Sequence, residues 1–330
     1  MKISIVGCGG MAHGVHMPCI QKYGGIEVVS CADINGASAK SLSEKYGIPL
    51  YFTDYREMLE KTRPDAVVCL VSEKAIAEVA GDILQKYPVL LEKPPGKTIG
   101  ETQMIYEAAK KSGKAHMVAF NRRFAPVYTK LKALMAKNGH DREIKYIRYN
   151  FHRVKRRESN FEDTAIHAID TVRFLAGGDF ARVGIKYQEM PELGEKVANY
   201  YINFEFTDGI FAYTEILVST GMVFEGCEIH AGEGIYRAAL QDGKEAGGIE
   251  YVGSDGVCLT IKREEICPYT EQYLTHGFYD EHRHFYDCLK KGVNPGNGAD
   301  TALQSVRVCE ALKNREVLLE NKERVQHNGN

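Results

Sequence analysis

The first candidate site in this 330-residue sequence is a glycine-rich loop near its start. Residues 7–12, GCGGMA, fit the pattern G-x-G-x-x-[G/A], follow a β-branched apolar run and open a helical stretch. The first glycine allows a tight turn, the second lets the backbone approach a pyrophosphate, and the helix N-terminus attracts phosphate charge. The loop therefore predicts a dinucleotide site with contacts from Gly7, Gly9, Gly10, Met11 and Ala12.

An acidic residue ends the second apolar run. Asp33 lies 24 residues after Gly9, where a carboxylate accepts hydrogen bonds from both ribose hydroxyls and repels a 2′-phosphate. No Arg or Lys occurs between Asp33 and Lys40 to bind such a phosphate. The sequence thus favours NAD over NADP.

A Glu92-Lys93-Pro94 triplet follows another apolar strand, at 89–91. Ligands of open α/β sheets bind outside the carboxyl ends of the strands, so a lysine here can hydrogen-bond a substrate hydroxyl. Partial burial can also lower its pKa towards use in proton transfer. The alternative is a solvated Glu–Lys pair in a loop.

The third group lies on a predicted helix near residues 164–176. At ~100° per residue, Asp163, His167 and Asp170 fall on one stripe, while Ile166 and Ile169 fall on another that can dock on a sheet. An Asp one turn from a His orients the imidazole and stabilises its charged form. The alternatives are a helix cap for Asp163 and a structural histidine.

The elements around these residues predict an α/β fold with two domains. Apolar strands alternate with helices up to residue 121, which predicts a doubly wound parallel sheet. From about residue 143 the hydrophobic period becomes two, with hairpin signals at Asp208-Gly209 and Asp255-Gly256, which predicts a large, mostly antiparallel open sheet. We expect domains at 1–121 and 122–330, with final helices near 276–291 and 300–319 that can pack back on the first domain.

Composition excludes several classes of function. A net charge of −2 argues against a nucleic-acid binder, and the longest apolar run, residues 66–71, is far below the ~20 residues of a membrane span. The nine cysteines are scattered without a C-x-x-C pair, so we expect mostly buried thiols, no metal site and a cytoplasmic protein without a signal peptide. A basic run at 153–157 has two interpretations, a solvated strand end or recognition of an anionic substrate through Arg153.

Together these segments resemble the Gfo/Idh/MocA family of oxidoreductases. The glycine loop, Glu92-Lys93-Pro94 and Asp163-x-x-x-His167-x-x-Asp170 occur in the family's order and spacing, and residues 121–126 (NRRFAP) and 284–289 (HFYDCL) also resemble family segments. The resemblance implies a Rossmann domain, and an α/β domain whose open sheet often serves as an oligomer interface, hence a homodimer or homotetramer. It also implies nicotinamide-dependent oxidation of a secondary alcohol on a sugar or cyclitol.

Carried over by position, the resemblance implies that Lys93 contacts the reacting hydroxyl, that His167 is the acid/base and that Asp163 orients substrate or imidazole. These two groups, Lys93 and His167, can also exchange roles. The sequence departs from the family at Val71-Ser72-Glu73, where relatives often have a Thr-Pro-Asn-like turn. The remaining predicted contacts are to cofactor by Val71, Glu92, Lys93, Pro94 and Asn121, and to substrate by Lys93, Arg122, Arg153, Asp163 and His167.

Two other functions remain open at this point. One is a glycosidase that oxidises its sugar transiently, eliminates the aglycone and returns the hydride, so that NADH does not accumulate. The other is a dinucleotide or sugar sensor without chemistry, which needs none of Lys93, Asp163 and His167.

Overall fold

The apolar runs of the first 121 residues form a six-stranded parallel sheet in a computed structural model, which describes residues 1–240 and 247–320. The strand order is β3-β2-β1-β4-β5-β6, so the direction of winding reverses between β1 and β4. The strands are β1 (Lys2–Val6), β2 (Glu27–Ala32), β3 (Leu50–Phe52), β4 (Ala66–Cys69), β5 (Val89–Leu91) and β6 (His116–Val118).

Helices connect these strands, as expected for crossovers between parallel strands. A π-helical turn at Ala12–His16 precedes α1, and side chains of Asn35, Asp54 and Thr98 cap the N-termini of α2, α3 and α5. The helices are α1 (Met17–Tyr23), α2 (Gly36–Tyr46), α3 (Tyr55–Thr62), α4 (Ile76–Leu84) and α5 (Ile99–Ser112). Sequence analysis missed β3 and α3, because β3 has only three residues, mostly exposed, and so has no apolar run.

The later strands form a nine-stranded sheet in the order β14-β13-β12-β11-β7-β10-β9-β8-β15. It is mostly antiparallel, although β10 pairs with β7 in parallel, and both predicted hairpins are present. The strands are β7 (Ile144–His152), β8 (Phe180–Glu189), β9 (Ala198–Phe206), β10 (Phe211–Leu217), β11 (Phe224–Ala231), β12 (Gly234–Ala239), β13 (Gly248–Gly253), β14 (Cys258–Lys262) and β15 (Leu318–Glu320).

The remaining helices are α6 (Pro126–Lys137), α7 (Glu162–Ala176), α8 (Arg263–Ile266), α9 (Gln272–Thr275), α10 (Phe278–Lys291) and α11 (Ala299–Asn314). Helix α7 packs on β7 and β10 and buries the predicted stripe of Ile166 and Ile169. The predicted helix at 300–319 is too long. It ends at Asn314 because Arg315 takes a positive φ of 58°, and β15 then pairs with β8 and buries Leu319.

The chain divides into two compact units. The first comprises residues 1–121 and 277–306, and the second comprises residues 122–240, 247–276 and 307–320. Helix α10 therefore belongs to the unit of the parallel sheet. All nine cysteines are free and eight are buried, which confirms that most are core thiols. Within residues 1–240 and 247–320, no helix combines the length and apolar character needed to cross a bilayer.

Candidate active site

The predicted cofactor residues of the first unit lie at one edge of the parallel sheet. Gly7 follows β1, Asp33 follows β2, Val71 follows β4, Lys93 follows β5 and Asn121 follows β6. Because parallel strands end at the same edge, these five positions share the carboxyl edge, and the winding reverses there between β1 and β4. This is where open α/β sheets bind their ligands.

The glycine loop has the geometry that its motif requires. Gly7 has a φ of +95°, and a Cβ there would lie 2.6 Å from the backbone of Leu70, so this position accepts only glycine. At Gly9 and Gly10 a Cβ would meet no described atom within 4 Å. The backbone of this turn is therefore open to a ligand, ahead of the helical segment that starts at Ala12.

Asp33 is held in place by two backbone donors. Its Oδ2 accepts the N–H of Cys8 at 2.8 Å and its Oδ1 accepts the N–H of Asn35 at 2.8 Å. Together with Gly7, Gly9 and Val71 it lines a cavity of about 340 Å³, and the lining residues that the structure describes include no Lys or Arg. An anchored carboxylate beside an approachable glycine turn fits the ribose and pyrophosphate of NAD. The described lining has no cationic side chain that would compensate the negative charge of a 2′-phosphate.

The Glu92-Lys93-Pro94 triplet is partly withdrawn from solvent, and its Lys93–Pro94 peptide is cis. Glu92 is 8% exposed, so it is not a solvated loop carboxylate, and Lys93 is half-buried. Glu92 Oε2 accepts the backbone N–H of Lys93 at 2.9 Å, and Oε1 lies 2.9 Å from His16 Nε2. Burial alone would raise the pKa of Glu92, but the hydrogen bond with His16 and the charges of His16 and Lys93 bring it below its ordinary value.

His16 belongs to a buried chain that sequence analysis did not identify. Its Nδ1 lies 2.8 Å from His282 Nε2, and His282 Nδ1 lies 3.0 Å from the Tyr286 hydroxyl. Burial, reinforced by His16, holds the pKa of His282 well below its ordinary value. The four-residue spacing of His282 and Tyr286 is visible in the sequence, but their partner is 266 positions away.

Helix α7 carries the predicted acid/base residues of the second unit. Asp163 and His167 are half-buried one turn apart, and Asp163 accepts the Asn160 amide at 2.9 Å. Asp163 lies in the first turn, since the N-cap position is Phe161. Asp170 has a structural partner, because its two carboxylate oxygens accept bidentate hydrogen bonds from the Arg123 guanidinium at 2.8 and 2.6 Å.

Arg122 and Arg153, the two predicted substrate arginines, converge on Glu225. Arg122 donates to its two oxygens at 3.1 and 3.2 Å, and Arg153 adds a bond of 2.7 Å. The Tyr149 hydroxyl donates to Glu225 at 2.7 Å. Burial would raise the pKa of Glu225, yet the two guanidinium charges hold it well below its ordinary value. This pairing explains why both arginines are buried, and a contact of either with substrate stays a prediction.

The structure thus groups the predicted residues by unit. Gly7, Gly9, Asp33 and Val71 share the cavity at the sheet edge, and Lys93 lies on the neighbouring strand end. Asp163 and His167 share α7. Glu225 was missed by sequence analysis because a glutamate in an alternating strand gives no signal of burial.

Comparisons with known proteins agree with this architecture. The family model for an oxidoreductase family with an NAD-binding Rossmann fold matches residues 1–120, and the model for its C-terminal alpha/beta domain matches residues 160–315. Inositol 2-dehydrogenase of Salmonella paratyphi B is 25% identical over 330 residues, covering 96% of this chain and 94% of the relative.

Solved structures show the same fold. An oxidoreductase from Agrobacterium radiobacter, solved with NAD⁺, L-tartaric acid and magnesium, has a TM-score of 0.83 at 17% identity, over 97% of this chain and 98% of that one. A putative myo-inositol dehydrogenase from Sinorhizobium meliloti has a TM-score of 0.80 at 17% identity, over 97% and 99%. With its anchored Asp33, its open glycine turn and both family models matched, the chain belongs to the Gfo/Idh/MocA family of NAD-binding oxidoreductases.

Proposed function

We propose that this protein oxidises a secondary hydroxyl of a sugar, a sugar derivative or a cyclitol with NAD as the hydride acceptor. The observation that carries the proposal is the position of Lys93, half-buried at the end of β5 on the sheet edge that holds the Asp33 cavity. The family and the inositol 2-dehydrogenase relative support the choice of substrate class.

The reaction removes a hydride from carbon and a proton from oxygen. Bound NAD⁺ accepts the hydride, so the chain must position the alcohol and receive its proton. We assign His167 as the base, because an imidazole titrates near neutral pH, and Lys93 as the cation that stabilises the developing alkoxide. Asp163, one turn before His167, orients the imidazole or the substrate.

The cofactor contacts follow the sheet edge. Gly7, Gly9 and Gly10 present backbone to the pyrophosphate, followed by Met11 and Ala12 at the start of the helical segment, and Asp33 takes the ribose hydroxyls. The other contacts proposed are Val71, Glu92, Lys93, Pro94 and Asn121. Arg122 and Arg153 are proposed to contact substrate, and an anionic sugar derivative would suit two arginines that share a single carboxylate.

The decisive experiment is a substrate screen with polyols, aldoses, uronates and nucleotide sugars, following NADH absorbance in both directions. A dehydrogenase accumulates NADH in proportion to oxidised product. Hydrolysis of a glycoside without NADH would instead identify the glycosidase, and binding without turnover of any compound would identify the sensor.

Substitutions then test the two roles. Lys93→Ala and His167→Ala should each lower kcat by about 10²–10⁴-fold while NADH binding, followed by fluorescence, stays intact. Lys61→Ala and His230→Ala are matched controls, since Lys61 pairs with Glu57 and the His230 ring contacts Glu228, both remote in sequence from these motifs. Near-normal turnover of both Lys93→Ala and His167→Ala would refute the assignment.

A further inference from the structure

A buried hydrogen-bond chain ends at the residue that precedes Lys93. Tyr286, His282 and His16 are 0% exposed, and the chain reaches Glu92 through contacts of 3.0, 2.8 and 2.9 Å. Glu92 in turn accepts the backbone N–H of Lys93. All of these residues belong to the first unit.

An acceptor at the Glu92 end and a donor at the Tyr286 end are compatible with one direction of bonds along the chain. His16 and Lys93 keep Glu92 ionised against the opposing effect of burial, and burial raises the pKa of Tyr286 well above its ordinary value, so the phenol keeps its proton. One direction that gives every bond a donor and an acceptor runs from the Tyr286 hydroxyl to His282, from His282 to His16, and from His16 to the Glu92 carboxylate. Every ring nitrogen then has a partner, and the negative charge of the chain is located on Glu92.

We propose that the chain Tyr286–His282–His16–Glu92 holds a carboxylate charge beside Lys93, which fixes Lys93 as the cationic electrophile and leaves proton acceptance to His167. The inference rests on the proposed function and resolves the exchange of roles that the sequence left open. His16, His282 and Tyr286 are positioning residues, since they act on Lys93 through Glu92.

The physical reason is electrostatic. The charges of Glu92 and Lys93 interact. A nearby opposite charge favours the ammonium form of a lysine, and a buried carboxylate is screened little by solvent. His16 and the Lys93 N–H each occupy one oxygen of Glu92, so the carboxylate cannot rotate away. A lysine held as a cation stabilises an alkoxide but accepts no proton.

At the far end of the chain, the Tyr286 phenol is buried against another aromatic ring. The Tyr286 ring packs at 5.2 Å from that of Tyr23, and loss of its proton would leave a buried phenolate. The other titratable groups around this end are Cys19 and Tyr23, with Asp280, Glu281, Asp287 and Lys290 behind them.

Glu92→Gln separates the charge from the hydrogen bonds. The introduced amide oxygen can accept the Lys93 N–H while its NH₂ group donates to His16, after which His16 donates to His282 and His282 donates to Tyr286. Every bond is kept, the three along the chain with reversed polarity, and only the charge is lost. The variant should therefore fold, as checked by far-UV circular dichroism.

The first readout needs neither cofactor nor substrate. Lysines are dimethylated with ¹³C-formaldehyde, the Lys93 signal is assigned by its absence in Lys93→Ala, and its titration midpoint is measured by NMR. In Glu92→Gln the midpoint should fall by about 1 pH unit or more. The imidazole ¹⁵N shifts should show that the proton of each ring, His16 and His282, has moved to the other ring nitrogen.

The second readout is the pH profile of kcat/KM, whose basic limb should move to lower pH in Glu92→Gln. His16→Leu, which removes the donor to Glu92, should lower kcat with little change in the KM for NAD, and His16→Gln, which keeps a donor amide, should restore most of it. Tyr23→Phe is the matched control, because it removes a hydroxyl that donates to Asp287 outside the chain.

Unchanged Lys93 midpoint and unchanged basic limb in Glu92→Gln would overturn the inference. Equal kcat for His16→Leu and His16→Gln would overturn the positioning role even if Glu92→Gln did not fold. Absence of NADH formation by wild type with every compound of the screen would instead overturn the proposed function, and the Lys93 midpoint is measured without turnover, so the two failures are distinguishable.

Discussion

We propose that Asp33 selects the cofactor through the placement of its carboxylate. Backbone N–H groups of Cys8 and Asn35 each bind one of its oxygens, which leaves the second lone pair of each oxygen available. The side chain is thus aimed before any ligand arrives, and its charge disfavours a 2′-phosphate. In this proposal the same residue provides both affinity for NAD and rejection of NADP.

We expect Asp33→Ala to weaken NAD binding by about 1.5–3 kcal/mol, the cost of hydrogen bonds to a charged group, or roughly 10- to 150-fold in Kd. NADP binding should improve relative to NAD, because the repulsion is lost. Isothermal titration with both dinucleotides measures this. Asp65→Ala is the matched control, since Asp65 also accepts a backbone N–H, from Lys2, but at the start of β1 and thus at the opposite sheet edge. Equal loss in both variants would contradict the assignment.

At the scale of elements, the segment after β6 is clamped within the second unit by two ion pairs. Arg122 pairs with Glu225 on β11, and Arg123 pairs with Asp170 on α7. Arg153, just after β7, also pairs with Glu225. A turn, a strand and a helix are therefore tied together by two buried carboxylates.

Glu225→Gln should destabilise the second unit by about 3–5 kcal/mol, because two guanidinium groups would remain buried without their counter-charge. Urea unfolding followed by far-UV circular dichroism measures the change, since the chain has no tryptophan. Glu228→Gln on the same strand removes exposed pairs with Arg237 and His230 and should cost below about 1 kcal/mol. Similar losses in both variants would show that Glu225 is not a buried anchor.

The same cluster predicts a pH dependence. Because the pKa of Glu225 is lower in the folded chain than its ordinary 4.5, its ionisation stabilises the fold above that pH. This stabilisation should be lost progressively as pH falls below about 4.5 towards the folded-state pKa. Protonation of Glu225 should therefore contribute to the acid unfolding of wild type. Glu225→Gln lacks this titration, so its free energy of unfolding should change less with pH below ~4.5. If the free energy of unfolding of Glu225→Gln had the same slope against pH as that of wild type, this account would be contradicted.

At the scale of the whole molecule, one face of the nine-stranded sheet is covered by α7 and the opposite face presents tyrosines. Tyr201 and Tyr213 lie half-buried on adjacent strands β9 and β10, and Phe211 is 52% exposed. Aromatic side chains on a one-layer sheet favour association with a second surface. We therefore propose that this face joins two copies of the chain, as a homodimer or half of a homotetramer.

Light scattering after size exclusion tests that proposal. Wild type should have a mass of two or four chains, and the double substitution Tyr201→Asp with Tyr213→Asp should shift it towards one chain, because charges placed in an interface are costly to desolvate. Tyr51→Asp, on the exposed strand β3 of the first unit, should leave the mass unchanged. A monomeric wild type would end the proposal.

Features that depend on local spacing were predictable. Short segments of the sequence predict the glycine loop, the buried stripe of α7 and the two Asp-Gly hairpins, because turns and helices are stabilised by neighbours a few residues apart. The three-residue strand β3 and the end of α11 were not, since pairing along a sheet edge decided them.

The amino-acid sequence by itself determined the strand–helix alternation, the acidic residue after β2, and the placement of Asp163 and His167 one turn apart on one helix. Only the tertiary structure decided the partners of buried charge. Glu225 pairs with Arg122, which is 103 positions away in the sequence, and His16 forms a hydrogen bond with His282, which is 266 positions away. Burial of a charge depends on which distant groups compensate it, and no local pattern encodes that distance.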